Sequence, residues 1–311
     1  MNNKPLFSIV SPVYRAEFII EKLVFEIQKS MEKLDASFEI ILIDDRSPDN
    51  SWKVMQEISK RHPNVKSIRL SRNFGQHPAI MAGLSLVKGN WIVVMDCDLQ
   101  DQPKEIEKLY YKALEGYDVV FASRHNRQDN FLKKCSSKIF SMVYSYLTDS
   151  KFDNTIANFG IYDAKVIKEV IKMNDYIKSF PLFVNWVGFN SVTVNVEHAE
   201  RDSGKSSYSL KKLLSLAFNT IISFSNKPLR LFVKFGLMIS GLSFLVGIIT
   251  IYRHFIGEIN VLGYTSLVVS IWFLSGIMIT IIGVVGIYIG KIFDQSKGRN
   301  SFIIDKIINN D

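Results

Sequence analysis

The chain has 311 residues, 47% of them hydrophobic, and carries a net charge of +8; that length accommodates one sizeable soluble domain plus further elements. A basic balance suits nucleic acid, a membrane surface or an anionic substrate, but no zinc-finger, RNP-like or helix-turn-helix pattern occurs, which excludes nucleic acid as a partner. Two cysteines, Cys97 and Cys135, make no disulfide framework, and five scattered histidines give no zinc-ligand spacing.

In chain order, the N-terminus does not read as a signal peptide, because the apolar run after Lys4 is short and broken by Pro12. Short apolar runs at Phe7 to Val10, Glu39 to Ile43, Trp91 to Met95 and Asp118 to Phe121 predict strands. Helical patterns separate them at Glu17 to Leu34, Trp52 to Lys60, Ala79 to Val87 and Lys104 to Leu114, with Pro103 suited to the first turn of the last. Such alternation predicts an α/β domain with a mainly parallel sheet, whose ligands sit at the carboxyl ends of the strands. No Gly-x-Gly-x-x-Gly and no Walker lysine loop follows a strand. Carboxylates stand there instead: Asp44 and Asp45 after the second strand, Asp96 and Asp98 after the third. Two Asp residues at i and i+2 can hold a hard divalent ion through oxygen, as Mg²⁺ is held jointly with substrate phosphates; the alternative for an isolated pair is a solvated turn.

Composition changes near Tyr208. From Leu210 to Phe224, Leu213, Leu214, Ala217 and Ile221 complete one apolar face from which Lys211 and Lys212 are excluded. This predicts a helix lying on the cytoplasmic leaflet or an amphipathic helix packed on the soluble domain. Two uncharged stretches follow, Phe235 to Tyr252 and Val261 to Gly290, each a candidate for a membrane span, which needs roughly 20 mostly apolar residues. Arg253, His254, Glu258 and Asn260 mark the connector; Lys227, Arg230 and Lys234, and then Lys291, Lys297 and Arg299, flank the pair. The positive-inside bias places the N-terminal domain and both termini in the cytoplasm and the connector outside. Gly286 and Gly290 form a small-xxx-small pair that leaves a homo-oligomer through the transmembrane helices open. The predicted layout is an α/β domain over 1–208, a juxtamembrane helix over 209–228, a hairpin over 229–290 and a cytoplasmic tail over 291–311.

Together these motifs resemble glycosyltransferase family 2, in particular its polyprenyl-phosphate enzymes of the dolichyl-phosphate mannose synthase and bactoprenol glucosyltransferase type. The matching pieces are Ser-Ile-Val-Ser-Pro-Val-Tyr (8–14), Ile-Asp-Asp-Arg-Ser-Pro-Asp (43–49), Leu-Ser-Arg-Asn-Phe-Gly-Gln (70–76), Gly83-Leu84, Asp96-Cys97-Asp98-Leu99-Gln100-Asp101, Arg124, the Arg201, Gly204, Ser206, Tyr208 segment and Pro228-Leu229-Arg230. The resemblance implies a GT-A fold, an inverting mechanism, a Mg²⁺ or Mn²⁺ ion, a nucleotide-sugar donor (UDP by analogy) and an undecaprenyl-type phosphate acceptor at the inner (plasma) membrane. It implies that Pro12, Tyr14 and Glu17 line the nucleoside pocket and that Asp44 accepts a hydrogen bond from the base. Asp96 and Asp98 would lie at the metal and diphosphate, with Gln100, Ser206 and Tyr208 also serving the donor. Arg124 and Arg201 would serve the acceptor phosphate or the leaving diphosphate, the 201–208 segment closing over the donor as a loop.

Three positions depart from the family's pattern. Tyr-Asn-Glu becomes Tyr14-Arg15-Ala16-Glu17. The residue after the Asp pair, often Gly, is Arg46, which bears on donor preference. Gly-Asp-Phe-Arg becomes Ala157-Asn158-Phe159-Gly160, so the carboxylate sometimes proposed as base is replaced by Asn158, which is retained as a catalytic candidate. A phosphate monoester with a second pKa of about 6 arrives already ionised and needs no base. The alternative, transfer to a saccharide or glycolipid hydroxyl, requires one, and the Gln-x-x-Arg-Trp motif of processive synthases is missing. A scaffold with a decayed transferase domain conflicts with the intact Asp96/Asp98 pair and the Arg201 segment.

Overall fold

The computed structural model describes residues 5–124, 156–173, 179–197, 227–256 and 263–309. Among these the chain forms two compact units, one reaching to residue 197 and resuming at 299, the other formed by residues 227–298 between them.

The first unit is built on an eight-stranded sheet. Its elements are β1 (Phe7–Val13), α1 (Ile20–Lys33), β2 (Phe38–Asp44), α2 (Ser51–Arg61), β3 (Val65–Leu70), α3 (Gln76–Leu84), β4 (Trp91–Val94), a 3₁₀ turn (Pro103–Glu105) leading into α4 (Ile106–Leu114), β5 (Val119–Arg124), β6 (Ile156–Asp163), α5 (Ala164–Lys172), α6 (Phe180–Val187), β7 (Ser191–Val196) and β8 (Ile304–Ile308). The order across the sheet is β7-β5-β6-β4-β1-β2-β3-β8. The centre is parallel, with β4, β1, β2 and β3 running together. β6 runs antiparallel to both β4 and β5, and β8 runs antiparallel to β3.

β1 is buried along its whole length. That is what a central strand covered by helices on both faces requires, and it explains a continuous apolar run rather than alternation. α1 turns Ile20, Leu23, Val24, Ile27 and Met31 inward at helical spacing. Asp163 ends β6 and caps α5 by accepting a hydrogen bond from the Lys165 N–H at 2.7 Å.

The four predicted strands and the four helices between them are present, with ends shifted by a few residues. β3, β6, β7, β8, α5 and α6 were not anticipated. β3 carries Lys66 and Arg69 and so lacks an apolar run. Lys66 is nonetheless buried, 3.7 Å from the Glu39 carboxylate. The stretch expected to be a tail holds β8, whose pairing with β3 extends the sheet.

In the second unit, α7 (Lys227–Phe255) and α8 (Tyr264–Ser296) take in the two uncharged stretches. Among the described residues Phe273–Ser296 is long and apolar enough to cross a membrane. Met278, Ile279 and Ile282 on it are 64%, 71% and 66% exposed. The 209–228 helix falls almost wholly outside the described residues.

Gly89 lies where the chain enters β4 and meets the backbone of β1. A Cβ there would stand 2.6 Å from the Ser8 nitrogen and 2.8 Å from the Phe7 carbonyl carbon. Backbone cannot yield as a side-chain tip can, so Gly89→Ala is expected to cost about 1–3 kcal/mol. That should lower the unfolding midpoint by roughly 2–10 °C, read by tryptophan fluorescence in detergent.

Candidate functional site

Because β1, β2 and β4 are parallel neighbours, their following loops emerge on one edge of the sheet. Asp45 N–H continues the ladder to the Val13 carbonyl (3.0 Å) and Met95 N–H to the Val10 carbonyl (3.1 Å). The acidic residues predicted to form the site are therefore brought to one edge.

The loops after β1 and β2 are stapled together. The Arg15 N–H donates to Ser47 Oγ and the Ala16 N–H to Ser51 Oγ, both at 3.0 Å. The Glu17 N–H donates to Asp49 (3.3 Å), while Glu17 accepts from the Asn50 N–H (2.9 Å). Asp44 is fully buried. One of its oxygens accepts from the Ser47 N–H at 2.8 Å. The other lies 3.2 Å from Arg69 Nε, without hydrogen-bond alignment. Arg69 in turn packs over the Trp52 ring. Burial pushes the Asp44 carboxyl above its ordinary range, against the hydrogen bonds from Ser47 and the Arg69 charge.

Asp45 is also buried and has a different task. Its two oxygens accept from the Phe74 N–H (2.7 Å) and the Gly75 N–H (2.8 Å), fixing the loop that starts α3. Burial raises this carboxyl too, and the two backbone donors oppose the rise. Next in the chain, the Gln76 side-chain amide donates to Asp96 at 2.6 Å. The end of β2 is thus tied through α3 to the residue that follows β4.

Asp96, Cys97 and Asp98 are half-buried. Burial, with Asp96 beside it, pushes the Cys97 thiol up to about 12, so it stays protonated. Asp98 accepts from the Gln100 N–H at 3.2 Å. No group of three or more His, Cys, Asp or Glu side chains with metal-binding geometry occurs among the described residues. Two carboxylates are a fitting donor set for a hard divalent ion whose remaining ligands are diphosphate oxygens and water.

Backbone strain gathers at the same edge. Arg15 after β1, Arg46 after β2 and Leu99 after β4 have φ of 54°, 56° and 55°. Among the described residues the two other non-glycine positions with positive φ are Asp35 and Asn309, types that tolerate it. For an arginine or leucine it costs on the order of 1 kcal/mol or more, and such residues cluster at functional sites.

Of the other predicted residues, Pro12 is buried within β1, and Tyr14, just beyond it, is 44% exposed. Gln100 is half-buried, and Arg124 ends β5. Asn158 lies half-buried on β6. The β4–β6 ladder ends with Val94 paired to Gly160, and Asn158 stands two residues beyond that pair on β6. Arg201, Ser206 and Tyr208 fall outside the described residues. Sequence reasoning gave Asp45, Arg69 and Gln76 no role of their own, since their partners are distant in the chain.

Residues 8–171 match the family model "Glycosyl transferase family 2". The uncharacterized glycosyltransferase YkcC of Bacillus subtilis (strain 168) is 37% identical over 301 residues, covering 96% of this chain and 93% of the relative. Undecaprenyl-phosphate 4-deoxy-4-formamido-L-arabinose transferase of Proteus mirabilis (strain HI4320) is 33% identical over 304 residues, covering 97% and 93%. Among solved structures, glucosyl-3-phosphoglycerate synthase from Mycobacterium tuberculosis, in complex with Mn²⁺, UDP-glucose and phosphoglyceric acid, superposes with a TM-score of 0.51 at 15% identity, over 70% of this chain and 78% of that one. That likeness concerns the fold, a GT-A-like α/β arrangement.

Asp45→Asn puts an amide N–H₂ against a backbone N–H and leaves one donor unsatisfied in a buried place. It should cost about 1–3 kcal/mol, lowering the unfolding midpoint by roughly 2–10 °C. Protease should also cut more readily within 71–76 than in the unaltered chain.

Proposed function

The chain belongs to glycosyl transferase family 2, and on that premise we propose that this glycosyltransferase moves a sugar from a nucleotide-sugar donor to a polyprenyl phosphate, undecaprenyl phosphate being the acceptor tested first. The observation that carries the acceptor assignment is the 33% identity with an undecaprenyl-phosphate transferase, which runs over 97% of this chain and so takes in the apolar helices as well as the sheet. The convergence of the β1, β2 and β4 loops supports the donor site.

In this reading an oxygen of the lipid phosphate attacks the anomeric carbon. The bond from that carbon to the donor's diphosphate breaks, and nucleoside diphosphate leaves with its electron pair, inverting the centre. The attacking phosphate is ionised at neutral pH, so the protein's work is alignment and charge neutralisation. Asp96 and Asp98 would hold Mg²⁺ or Mn²⁺, which when bound neutralises charge on the diphosphate. Gln76 keeps Asp96 in place. Arg124 and Arg201 supply positive charge to the phosphates, and Asn158 orients the acceptor or the sugar. Pro12, Tyr14, Glu17, Asp44, Gln100, Ser206 and Tyr208 make up the rest of the proposed donor site.

The proposed setting is the inner (plasma) membrane, with α7 and α8 as a hairpin and the sheet on the cytoplasmic side. Exposed apolar side chains along α8 support it, as do basic residues at Lys227, Arg230 and Lys234 and at Lys291, Lys297 and Arg299. The connectivity adds a further argument. β8 follows α8 and joins the same sheet as β1–β7, so the segment between them must cross the membrane an even number of times.

Incubating the purified chain and undecaprenyl phosphate with a panel of nucleotide sugars, then weighing the lipid product, tests the function; no glycosylated lipid with any donor refutes it. Asp98→Ala should lose at least about 100-fold in turnover with folding intact, whereas Asn158→Ala should lose about 10-fold or less, roughly 1.4 kcal/mol. The rate should rise through pH about 6, as the lipid phosphate loses its second proton, and then stay flat. An Asn158→Ala loss as complete as that of Asp98→Ala would mean that alignment and neutralisation do not suffice.

The hairpin has its own check. A reporter fused after Asp311 should read cytoplasmic and one inserted near Gly257 external; two reporters on one side would exclude the arrangement.

A further inference from the structure

Arg46 is the exposed member of an otherwise buried turn. Asp44, Asp45 and Ser47 around it are enclosed, while its own side chain is 43% exposed. It sits on a left-handed backbone, φ 56°, which a glycine would occupy without cost. Its guanidinium donates to the Asp305 carboxylate at 3.1 Å across 259 positions of sequence.

Asp305 is placed there by an irregularity. Along the β3–β8 ladder Ser67 faces Ile308, Ile68 faces Ile307 and Arg69 faces Lys306, but Leu70 faces Ile304. Asp305 is therefore the extra residue of a β-bulge, a device that re-aims a side chain. The strand is tied at both ends. The Ser71 N–H donates to the Ile303 carbonyl at 2.9 Å, and the Asn309 side chain donates to the carbonyls of Ser59 (2.5 Å) and Val65 (3.0 Å).

We infer that Asp305 is a positioning residue that holds Arg46 on the nucleoside end of the donor pocket, and that Arg46 contributes directly to nucleoside binding. The inference rests on the donor-site reading above. In the sheet β2 lies two places from β4, an offset of about 10 Å at the usual strand spacing. A nucleotide with its diphosphate at Asp96 and Asp98 and its nucleoside extending across β1 ends beside Arg46. The fixed guanidinium offers donors to the acceptor oxygens of base or ribose. The strand that follows the apolar helices thereby completes the donor pocket.

The test uses the full chain in detergent micelles with Mn²⁺. Binding of UDP, GDP and CDP is measured by titration calorimetry, and the tightest is carried through the variants alongside inorganic pyrophosphate. Arg46→Gly is expected to weaken nucleotide binding about 3- to 10-fold, leave pyrophosphate unchanged, and hold or raise the unfolding temperature because the backbone strain is relieved. Asp305→Ala should weaken nucleotide binding by a similar or smaller factor, and the double variant should bind no worse than Arg46→Gly alone. Wild-type nucleotide affinity in Asp305→Ala, losses that multiply in the double variant, or an equal loss for pyrophosphate would each overturn the inference. Failure of the unaltered chain to bind any of the three nucleotides would instead overturn the donor-site reading on which it stands.

Discussion

Two backbone N–H groups, those of Phe74 and Gly75, end on the buried carboxylate of Asp45, and the geometry of the edge where the β1, β2 and β4 loops emerge depends on that junction. A buried carboxylate is costly unless its oxygens are satisfied. Here both oxygens are used, one for each donor. The result fixes where α3 starts, hence where Gln76 reaches Asp96. A side chain at the end of one strand thereby sets the orientation of a side chain at the end of another, with β1 between them. Both Asp44 and Asp45 pay for burial with raised proton affinity. Their enclosure suits them to holding backbone in place more than to exchanging protons.

The same edge keeps its loops in unfavourable backbone conformations. Arg15, Arg46 and Leu99 each follow a different parallel strand, and each has positive φ. The hydrogen bonds of Ser47, Ser51, Asp49 and Glu17 between adjacent loops are what over-determine the first two. Pre-set loops need less ordering when a flexible, highly charged donor arrives, which is where positioning gives its advantage. His77, beside Gln76, is held neutral because burial pushes its pKa down to about 4.

β8 gives the edge of the sheet a second use. An unpaired β3 would present an open row of backbone donors and acceptors. Covering it with the strand that follows α8 satisfies those groups and brings an acidic side chain to the β2 turn. A single short strand therefore both protects an edge of the sheet and holds the Arg46 guanidinium at the β2 turn.

The sequence by itself determined the family, strands β1, β2, β4 and β5 with the four helices between them, the carboxylate pairs at strand ends and the uncharged length of the C-terminal helices. Each of these is a local pattern: an apolar run, a helical period, an Asp-x-Asp after a strand, or a contiguous motif. What the tertiary structure decided is relational. β3 escaped notice because Lys66 and Arg69 break its apolar run, and only the neighbouring Glu39 and Asp44 carboxylates make those charges tolerable there. β8 looked like a tail because an edge strand of five residues with an Asp and a Lys carries no periodic signature until β3 is beside it. Asp45 and Asp44 are chemically identical neighbours in the sequence. One takes backbone donors from residues 74 and 75, and the other takes one from Ser47 and lies against Arg69, a division set by the opposite sides to which successive strand residues point. The antiparallel pairing of β6 against β4, Val94 with Gly160, joins residues more than sixty positions apart, which composition and spacing do not encode.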